Sequence, residues 1–268
     1  MTQATAGETD DPRDRALGPE GRQALITEMV LSTGSVSAQE LAESFGVSAM
    51  TVHRDLDELQ RQGVLRKSRG GATAQPSGTF ESNVAFRSKA NIEAKQQLAR
   101  YAAGLVEPGM SVLLDDSTTV FHLLPHLAGL TPLTVATNYL TALTDLSEMR
   151  DVQVVALGGH YDAQHRSFMG TPCIESLRSM RFDVAFVSTS AVTGAYTFHQ
   201  EDKIVAVKRE MVAAAEKAHL LVDHSKLRRT ALHRLLPLHT FASVVVDPAT
   251  PAAELATLRE NDVRVDVA

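Results

Sequence analysis

Near the N-terminus, three short helical patterns follow one another, each with apolar residues three or four positions apart. The first ends at Gly34, and the second begins with a capping box at Ser37 and ends at Gly46. The third begins at Ser48, a favourable N-cap residue, and closes at Gly63. The side chains expected to be buried are those of Leu25, Ile26, Met29, Val30, Leu41, Ala42, Phe45, Val52, Leu56 and Leu59.

The turn between the second and third patterns has the spacing of a helix-turn-helix motif. Opposite its apolar stripe, the N-terminal half of the third helix exposes Ala49, Met50, His53 and Arg54. In such a motif this half of the helix meets base edges in the major groove, and the helix N-terminus attracts phosphate. The pattern therefore predicts a DNA-reading helix.

A basic hairpin follows the third helix. Val64-Leu65 indicates a short strand and Gly70-Gly71 a turn, and the stretch from Arg61 to Ala74 contains no acidic residue. Such a hairpin is typical of a wing that lies along the DNA backbone. A three-helix module that binds another protein is the alternative. The predicted DNA-binding residues are Ser37, Ser48, Met50, Thr51, His53, Arg54, Arg66, Lys67 and Arg69.

Beyond a mixed segment with Pro and Gly early, apolar runs of strand length alternate with helical patterns. Strands apolar on both faces, separated by helices, predict a mostly parallel, Rossmann-like α/β sheet covered on both sides. The predicted strands are residues 110–115, 133–137, 152–157, 183–189, 219–223, 243–247 and 263–267. The predicted helices are residues 92–106, 117–129, 138–146, 201–218 and 251–261.

Small, hydroxyl or cationic residues follow several of these strands. Residues 116–119 follow the first, Asn138 the second, Gly158-Gly159 the third, and Ser225 with Lys226 a later one. Ligands of open α/β sheets bind beyond the carboxyl ends of the strands, so these residues predict a pocket for a polar, phosphorylated small molecule. Taken singly, Ser117 and Asn138 could be simple helix caps and Lys226 a solvated surface lysine.

Two sets of motifs carry a family resemblance that spans the chain from about Arg22. The segment SVSAQELAESFGVSAMTVHRDLDELQRQGVLRKSRGGA resembles the N-terminal signature of DeoR/GlpR-type bacterial regulators. The second half resembles the sensor domain of the same family. Its matching points are Leu114–Thr119, Thr137-Asn138, Gly158-Gly159, Gly170, Lys208 and Asp223–Lys226.

The resemblance implies a sensor fold related to sugar-phosphate isomerases and CoA transferases. It also implies an effector that is often a phosphorylated sugar, and repression that the effector relieves. The predicted effector-binding residues are Asp115, Asp116, Ser117, Thr118, Thr119, Thr137, Asn138, Gly158, Gly159, Ser188, Lys208 and Lys226.

The chain departs from the family pattern in both halves. His53 stands where the family usually has Arg, and Lys67 and Arg69 stand where it has Arg and His. These changes bear on base preference, and His53 could contact either a base edge or a phosphate. In the pocket, Ser117 replaces the usual Gly, and FVSTSAV (residues 186–192) adds hydroxyls where many members have Gly. The extra hydroxyls bear on which sugar fits.

Composition fits an ordinary globular protein rather than one that coats nucleic acid. The 268 residues are 44% hydrophobic and 22% charged, with a formal net charge of −6 and one cysteine. No apolar run is long enough for a membrane span, and the single Cys suits a reducing cytoplasm. His122 and His126 are one helical turn apart, but Pro125 lies between them and no third zinc ligand is evident, so neither metal nor cofactor is expected.

These observations predict an acidic tail (1–19), a winged helix-turn-helix domain (20–75), a linker (76–90) and a sensor domain (91–268). The predicted function is a cytoplasmic repressor of a carbohydrate-metabolism operon, a homodimer or homotetramer bound to double-stranded operator DNA and released by a sugar phosphate. The alternative is an isomerase-like enzyme with an appended DNA-binding module, in which Asp115, Asp116 and Lys226 form an acid/base set.

Overall fold

The computed structural model describes residues 18–268, so the predicted acidic tail lies outside the described residues except for Gly18 and Pro19. The chain divides into two compact units, and the boundary falls between Gln75 and Pro76. Among the described residues, no helix is both long enough and apolar enough to cross a membrane.

The first unit is a three-helix bundle with a small antiparallel sheet. Its elements are α1 (Pro19–Thr33), β1 (Ser35–Ser37), α2 (Ala38–Phe45), α3 (Ala49–Arg61), β2 (Arg66–Ser68) and β3 (Gly71–Thr73). Within the described residues, the three strands lie in the order β1-β3-β2. The hydroxyls of Ser37 and Ser48 accept the backbone N–H groups of Glu40 and Thr51, as N-caps do. This is the predicted winged helix-turn-helix arrangement.

Two predictions for the first unit are wrong in detail. Leu25 is 39% exposed, because the buried face of α1 runs instead through Arg22, Ile26 and Val30. The wing strand begins at Arg66 rather than at Val64, because the fully buried Leu65 packs into the core ahead of it.

A buried ion pair ties α1 to α3. Asp55 accepts hydrogen bonds from Arg22 Nε at 2.5 Å and Arg22 Nη2 at 3.2 Å. Gln23 Nε2 donates to the same carboxylate at 3.1 Å. Both charged side chains are almost completely buried, so each depends on the other for compensation of its lost hydration.

In the second unit, helices and parallel strands alternate through most of the sequence. The elements of its first half are α4 (Val84–Lys89), α5 (Ile92–Ala103), β4 (Ser111–Leu114), α6 (Thr118–Phe121), α7 (Leu124–Leu127), β5 (Leu133–Thr137), α8 (Leu140–Ser147), β6 (Val152–Ala156), β7 (His160–Asp162), β8 (Ser167–Met169) and α9 (Thr171–Arg178). Those of its second half are β9 (Phe182–Val187), β10 (Ala191–Thr193), β11 (Tyr196–His199), α10 (Asp202–Ala213), β12 (Ala215–Val222), β13 (His233–Pro237), β14 (Ser243–Val246), α11 (Ala252–Arg259) and β15 (Val265–Val267).

The main sheet of the described chain has seven strands in the order β15-β14-β12-β9-β4-β5-β6, and every neighbouring pair is parallel. Successive residues of its central strands pack on opposite faces: Leu113 belongs to one apolar cluster, and Val112 and Leu114 to the other. This confirms the parallel α/β fold. A hairpin of β7 and β8 and a small antiparallel sheet, β10-β11-β13, extend beyond the predicted elements.

Three predictions for the second unit need correction. The helix predicted at 117–129 is two four-residue helices, because Pro125 can begin a helix but not continue one. The helix predicted at 201–218 ends at Ala213, where β12 takes over. Residues 76–90, expected to be a linker, belong to the second unit, where they form α4 and bury Glu81, Ser82 and Val84.

The Arg22–Asp55 pair leads to a stability prediction. We expect Arg22→Ala to destabilise the first unit by about 3–5 kcal/mol, because it leaves a buried carboxylate uncompensated. Denaturant unfolding of the full chain, followed by circular dichroism, measures the loss. The double change Arg22→Met with Asp55→Leu is the control and should recover most of the stability. A loss below about 1 kcal/mol for the single variant would contradict this account.

Candidate functional site

The exposed side of α3 is the candidate DNA-reading surface. Val52 and Leu56 are buried on one side of the helix, whereas His53 and Arg54 are exposed on the other and Met50 is 65% exposed. At the start of the helix the hydroxyls of Ser48 and Thr51 lie 3.0 Å apart, and Ser48 also caps the helix. Ser37 caps α2 and is only partly exposed.

The basic side chains of the wing and of α3 differ in whether an acidic side chain lies beside them. Lys67 Nζ lies 2.6 Å from Asp57 Oδ1, and the Lys67 backbone N–H donates to Gln60 Oε1 at 2.7 Å, so α3 holds the wing strand. Arg66 is half-buried. Arg54 and Arg69 are exposed and have no ion-pair partner within residues 18–268. The open positive charge of this surface therefore lies on those two arginines.

In the second unit, the residues that follow β4, β9 and β12 meet at the carboxyl edge of the sheet, where Lys226, after β12, donates to Thr119 and Ser188. Asp115 accepts hydrogen bonds from the residues after β4 and β9. Asp115 Oδ1 accepts the backbone N–H of Ser117 at 3.0 Å. Oδ2 accepts the backbone N–H of Ser188 at 2.7 Å and the Lys208 ammonium. Its oxygens are thus engaged within the protein.

Lys208 and Asp116 complete a buried charge cluster with Asp115. Lys208 is 4% exposed, and its Nζ lies 3.2 Å from Asp116 Oδ1, while Ser167 Oγ donates to Asp116 Oδ2 at 2.8 Å. Burial works against the charge of Lys208, but Asp115 and Asp116 outweigh it and raise its pKa. Burial likewise raises the pKa of Asp116, yet the charge of Lys208 holds it well below the usual range. Lys208 and Asp116 are therefore both charged, and each stabilises the other.

Two ammonium groups approach the hydroxyls of Thr118 and Thr119 at the start of α6. Lys226 Nζ donates to Thr119 Oγ1 at 3.2 Å and to Ser188 Oγ at 3.0 Å. Lys95 Nζ, from α5, donates to Thr118 Oγ1 at 3.1 Å and to the carbonyl of Arg87. These contacts place two cations on adjacent hydroxyls.

The two ammonium groups are not fully compensated by acids. Burial, aided by the nearby charge of Lys226, lowers the pKa of Lys95 to about 7. Burial also lowers the pKa of Lys226, against the opposing effect of Asp223, whose Oδ2 lies 3.7 Å from its Nζ. An anion placed beside these groups would favour the charged form of both and raise both pKa values.

The remaining predicted residues lie nearer β5 and β6. Thr137 Oγ1 accepts the backbone N–H of Tyr139 at 3.1 Å. Asn138 Nδ2 donates to Phe168 O at 2.9 Å, but Asn138 Oδ1 is buried without a partner in the described chain. Gly158 and Gly159 follow β6, and a Cβ on Gly159 would lie 2.4 Å from Met169 O, so the need for glycine at 159 comes from packing.

Three charged residues near the site were not predicted from the sequence: Glu81, Arg87 and Lys95. Lys95 could have been found, because it lies on the apolar face of α5 with Leu98, Ala99 and Ala102. A lysine on a buried stripe is uncommon unless it is paired. No sequence pattern indicated Glu81 and Arg87, because they fall in the segment predicted to be a linker.

Metal ligation has no geometric support in the described part of the chain, which contains no group of three or more His, Cys, Asp or Glu placed to hold an ion. His122 Nδ1 lies 2.8 Å from its own helix at Thr118 O.

Comparisons with known proteins agree with this two-unit organisation. Residues 90–248 match the DeoR C terminal sensor domain and residues 22–77 the DeoR-like helix-turn-helix domain. A putative aga operon transcriptional repressor of Escherichia coli O157:H7 is 32% identical over 94% of this chain and 94% of its own length. The glycerol-3-phosphate regulon repressor of Escherichia coli (strain K12) is 26% identical over 90% of this chain and 96% of its own.

Among solved structures, ribose 5-phosphate isomerase A from Methanocaldococcus jannaschii aligns with a TM-score of 0.39 and 19% identity. The alignment covers 52% of this chain and 55% of that one. A likeness this slight carries no argument about activity.

The buried cluster generates a second stability prediction. We expect Lys208→Met to cost about 3–5 kcal/mol, because two buried carboxylates lose their shared cation. Urea unfolding measured by circular dichroism gives the difference from the wild type. Lys217→Met, which removes an exposed lysine from β12, is the matched control and should change little. Equal losses for the two variants would show that the cluster does not have this role.

Proposed function

Because this chain belongs to the DeoR family of transcriptional regulators, we propose that it represses a carbohydrate-metabolism operon and leaves its operator when a phosphorylated sugar binds the second unit. The helix-turn-helix domain makes DNA a partner, and the sensor domain makes a small molecule the effector. The observation that carries the effector class is the pair of ammonium groups, Lys95 and Lys226, on the adjacent hydroxyls of Thr118 and Thr119.

The charge balance of the site favours an anionic effector. The ammonium groups of the buried Lys95 and the partly buried Lys226 lose hydration, which lowers the pKa of each lysine, and the charge of Lys226 lowers the pKa of Lys95 further. A phosphate ester carries a charge of about −1.5 to −2 at neutral pH and three strong acceptor oxygens. Such a group would pair with both cations and accept from both threonines. The sugar would extend toward Ser188 and the β5 side, where the unpaired Oδ1 of Asn138 offers an acceptor.

The same geometry argues against the enzyme alternative. An acid/base mechanism needs a carboxylate that can reach a substrate proton. Asp115 and Asp116 are instead occupied by Lys208, by backbone N–H groups and by Ser167. We therefore assign these carboxylates to the framework of an effector site without turnover.

On the DNA side, the proposal places the N-terminal half of α3 in the major groove and the wing along the phosphate backbone. Arg54 and Met50 face the base edges, and Arg69 faces the backbone. His53 contacts either a base edge or a phosphate. A homodimer or homotetramer in the cytoplasm, bound to a two-fold symmetric site, completes the proposal.

Release from DNA tests the proposed function directly. Purified protein is titrated onto DNA from its own upstream region at fixed salt, with and without a panel of sugar phosphates. We expect one compound to weaken binding by roughly 5–150-fold, the range of typical coupling free energies of about 1–3 kcal/mol. The unphosphorylated form of the same sugar is the control for the phosphate. Specific binding that no compound weakens would contradict the effector site, and absence of specific binding would contradict the regulator.

In the same assay, Arg54→Ala should weaken operator binding by about 1–3 kcal/mol and reduce discrimination at one base position, if Arg54 reads a base edge. Arg150→Ala removes another exposed arginine, from the second unit, and should leave the affinity unchanged.

Proton uptake gives a test of Lys95. With its pKa lowered to about 7, Lys95 is largely neutral at pH 8, and a bound phosphate should raise that pKa again. Binding of the releasing compound should therefore take up as much as one proton at pH 8 and fewer at pH 6, where Lys95 is already charged. Calorimetry in buffers of different ionisation enthalpy measures this uptake. Lys95→Met should remove this uptake at pH 8 and leave the proton exchange of the phosphate ester itself, whose second pKa is about 6. The exposed-residue control Lys89→Met should behave like the wild type; identical uptake in all three proteins would exclude the role.

A further inference from the structure

A peptide segment that continues directly from the DNA-binding unit is fastened to the second unit at several points. Ala74, whose N–H donates to Gly34 O at 3.0 Å, still belongs to the first unit, which ends at Gln75. Soon afterwards, Ser77 O accepts from Gln200 Nε2 at 3.0 Å and Gly78 O accepts from the Leu232 N–H at 2.8 Å. We call residues 76–83 the connecting segment.

Glu81 is the deepest anchor of the connecting segment. Its side chain is 4% exposed; one oxygen accepts the Ser190 hydroxyl and the other the Ser82 N–H at 3.0 Å. Arg87 Nε lies 3.8 Å from Oε1, and His199 Nε2 lies 3.6 Å from Oε2. Burial raises the pKa of the Glu81 carboxyl, but the charge of Arg87 and the Ser190 hydrogen bond help to outweigh it and hold that pKa below its usual value. The group is an anion at neutral pH.

The cations around Glu81 are connected to those of the proposed phosphate site. The carbonyl of Arg87 accepts the Lys95 ammonium, and the charge of Lys226 also acts to lower the pKa of Glu81. The guanidinium of Arg87 also contacts His165 Nδ1 at 3.3 Å. The connecting segment therefore supplies its own negative charge to the group of cations that would attract an effector.

We propose that Glu81 is an internal anion which competes with the phosphate of the effector for this cationic group, so that effector binding expels Glu81 and loosens the connecting segment. The proposal rests on the proposed function and adds the route by which the site acts on the DNA-binding unit. A phosphate of charge about −2 beside the buried carboxylate would be repelled far more strongly than in water, because the local dielectric constant is low. The state with Glu81 inserted and the state with phosphate bound therefore disfavour each other.

As a consequence, effector binding lowers the order of the connecting segment, and an ordered segment weakens effector binding. Departure of Glu81 breaks its hydrogen bond with Ser190, while residues 76–80 keep the hydrogen bonds from Gln200 Nε2 and the Leu232 N–H. The residues that precede the connecting segment belong to the DNA-binding unit. A more flexible segment therefore gives that unit a more flexible covalent connection to the second unit.

The test uses the full chain, inorganic phosphate as the probe, and the variant Glu81→Gln, which keeps the size of the side chain and removes its charge. We expect Glu81→Gln to bind phosphate roughly tenfold more tightly, because the repulsion is gone. In the wild type, phosphate should speed backbone hydrogen exchange in residues 76–83, and in Glu81→Gln this response should be lost. Glu148→Gln removes one exposed carboxylate elsewhere and should behave like the wild type. If Glu81 only stabilised the fold, Glu81→Gln would lower the phosphate affinity. Tighter binding therefore distinguishes competition with phosphate from a structural role.

A second variant keeps the test valid if Glu81→Gln folds poorly. Ser190→Ala removes the hydroxyl that holds Glu81 while leaving the charge, so it should raise basal exchange in residues 76–83 and modestly tighten phosphate binding. Unchanged or weaker phosphate binding in folded variants, with the wild type binding normally, would overturn this proposal and leave the proposed function standing. A wild type that binds neither phosphate nor any sugar phosphate would overturn both.

Discussion

The second unit depends on one buried carboxylate, Asp115. It accepts the backbone N–H groups of Ser117 and Ser188 and the Lys208 ammonium, and so it joins the ends of β4 and β9 to α10. Parallel strands end in loops with unpaired polar groups, and such groups are costly to bury without partners. Asp115 satisfies several of them at the sheet edge, while Lys208 compensates its charge. With this carboxylate fully engaged, the hydroxyls of Thr118, Thr119 and Ser188 accept instead from the Lys95 and Lys226 ammonium groups.

The sequence contained much of this arrangement. Apolar runs placed the seven parallel strands, since a strand buried on both faces is a local signal. Capping serines, which act within three residues, placed the starts of α2 and α3. The rule that parallel strand ends share one edge of the sheet predicts site residues after β4, β5, β6 and β12, whereas Ser188, after β9, came from the family resemblance. Each of these inferences needed only local pattern and one rule of geometry.

The buried charged residues could not be predicted from the sequence, because their burial depends on contacts between distant segments. Residues 76–90 look like a linker by composition, yet Glu81 is buried because Ser190, far along the chain, hydrogen-bonds to it. The same holds for Arg22, which occupies an apolar face of α1 because Asp55 on α3 pairs with it. Sequence could suggest that Lys208 binds a ligand but could not show that two carboxylates occupy it. Pairing of charges is a property of the fold and leaves no periodic pattern.

The attachment of the wing to α3 has a thermodynamic consequence. The Lys67 ammonium contacts Asp57, and the Lys67 backbone contacts Gln60, so the strand of the wing is hydrogen-bonded to the reading helix before any DNA is present. Loops that become ordered on association lose conformational entropy, and that loss is subtracted from affinity. A wing already fixed to its helix avoids most of this loss. In the proposed complex such a wing would present a rigid surface to DNA. A duplex whose groove width does not match would have to deform, and the cost of that deformation would add sequence selectivity at base pairs the protein does not touch.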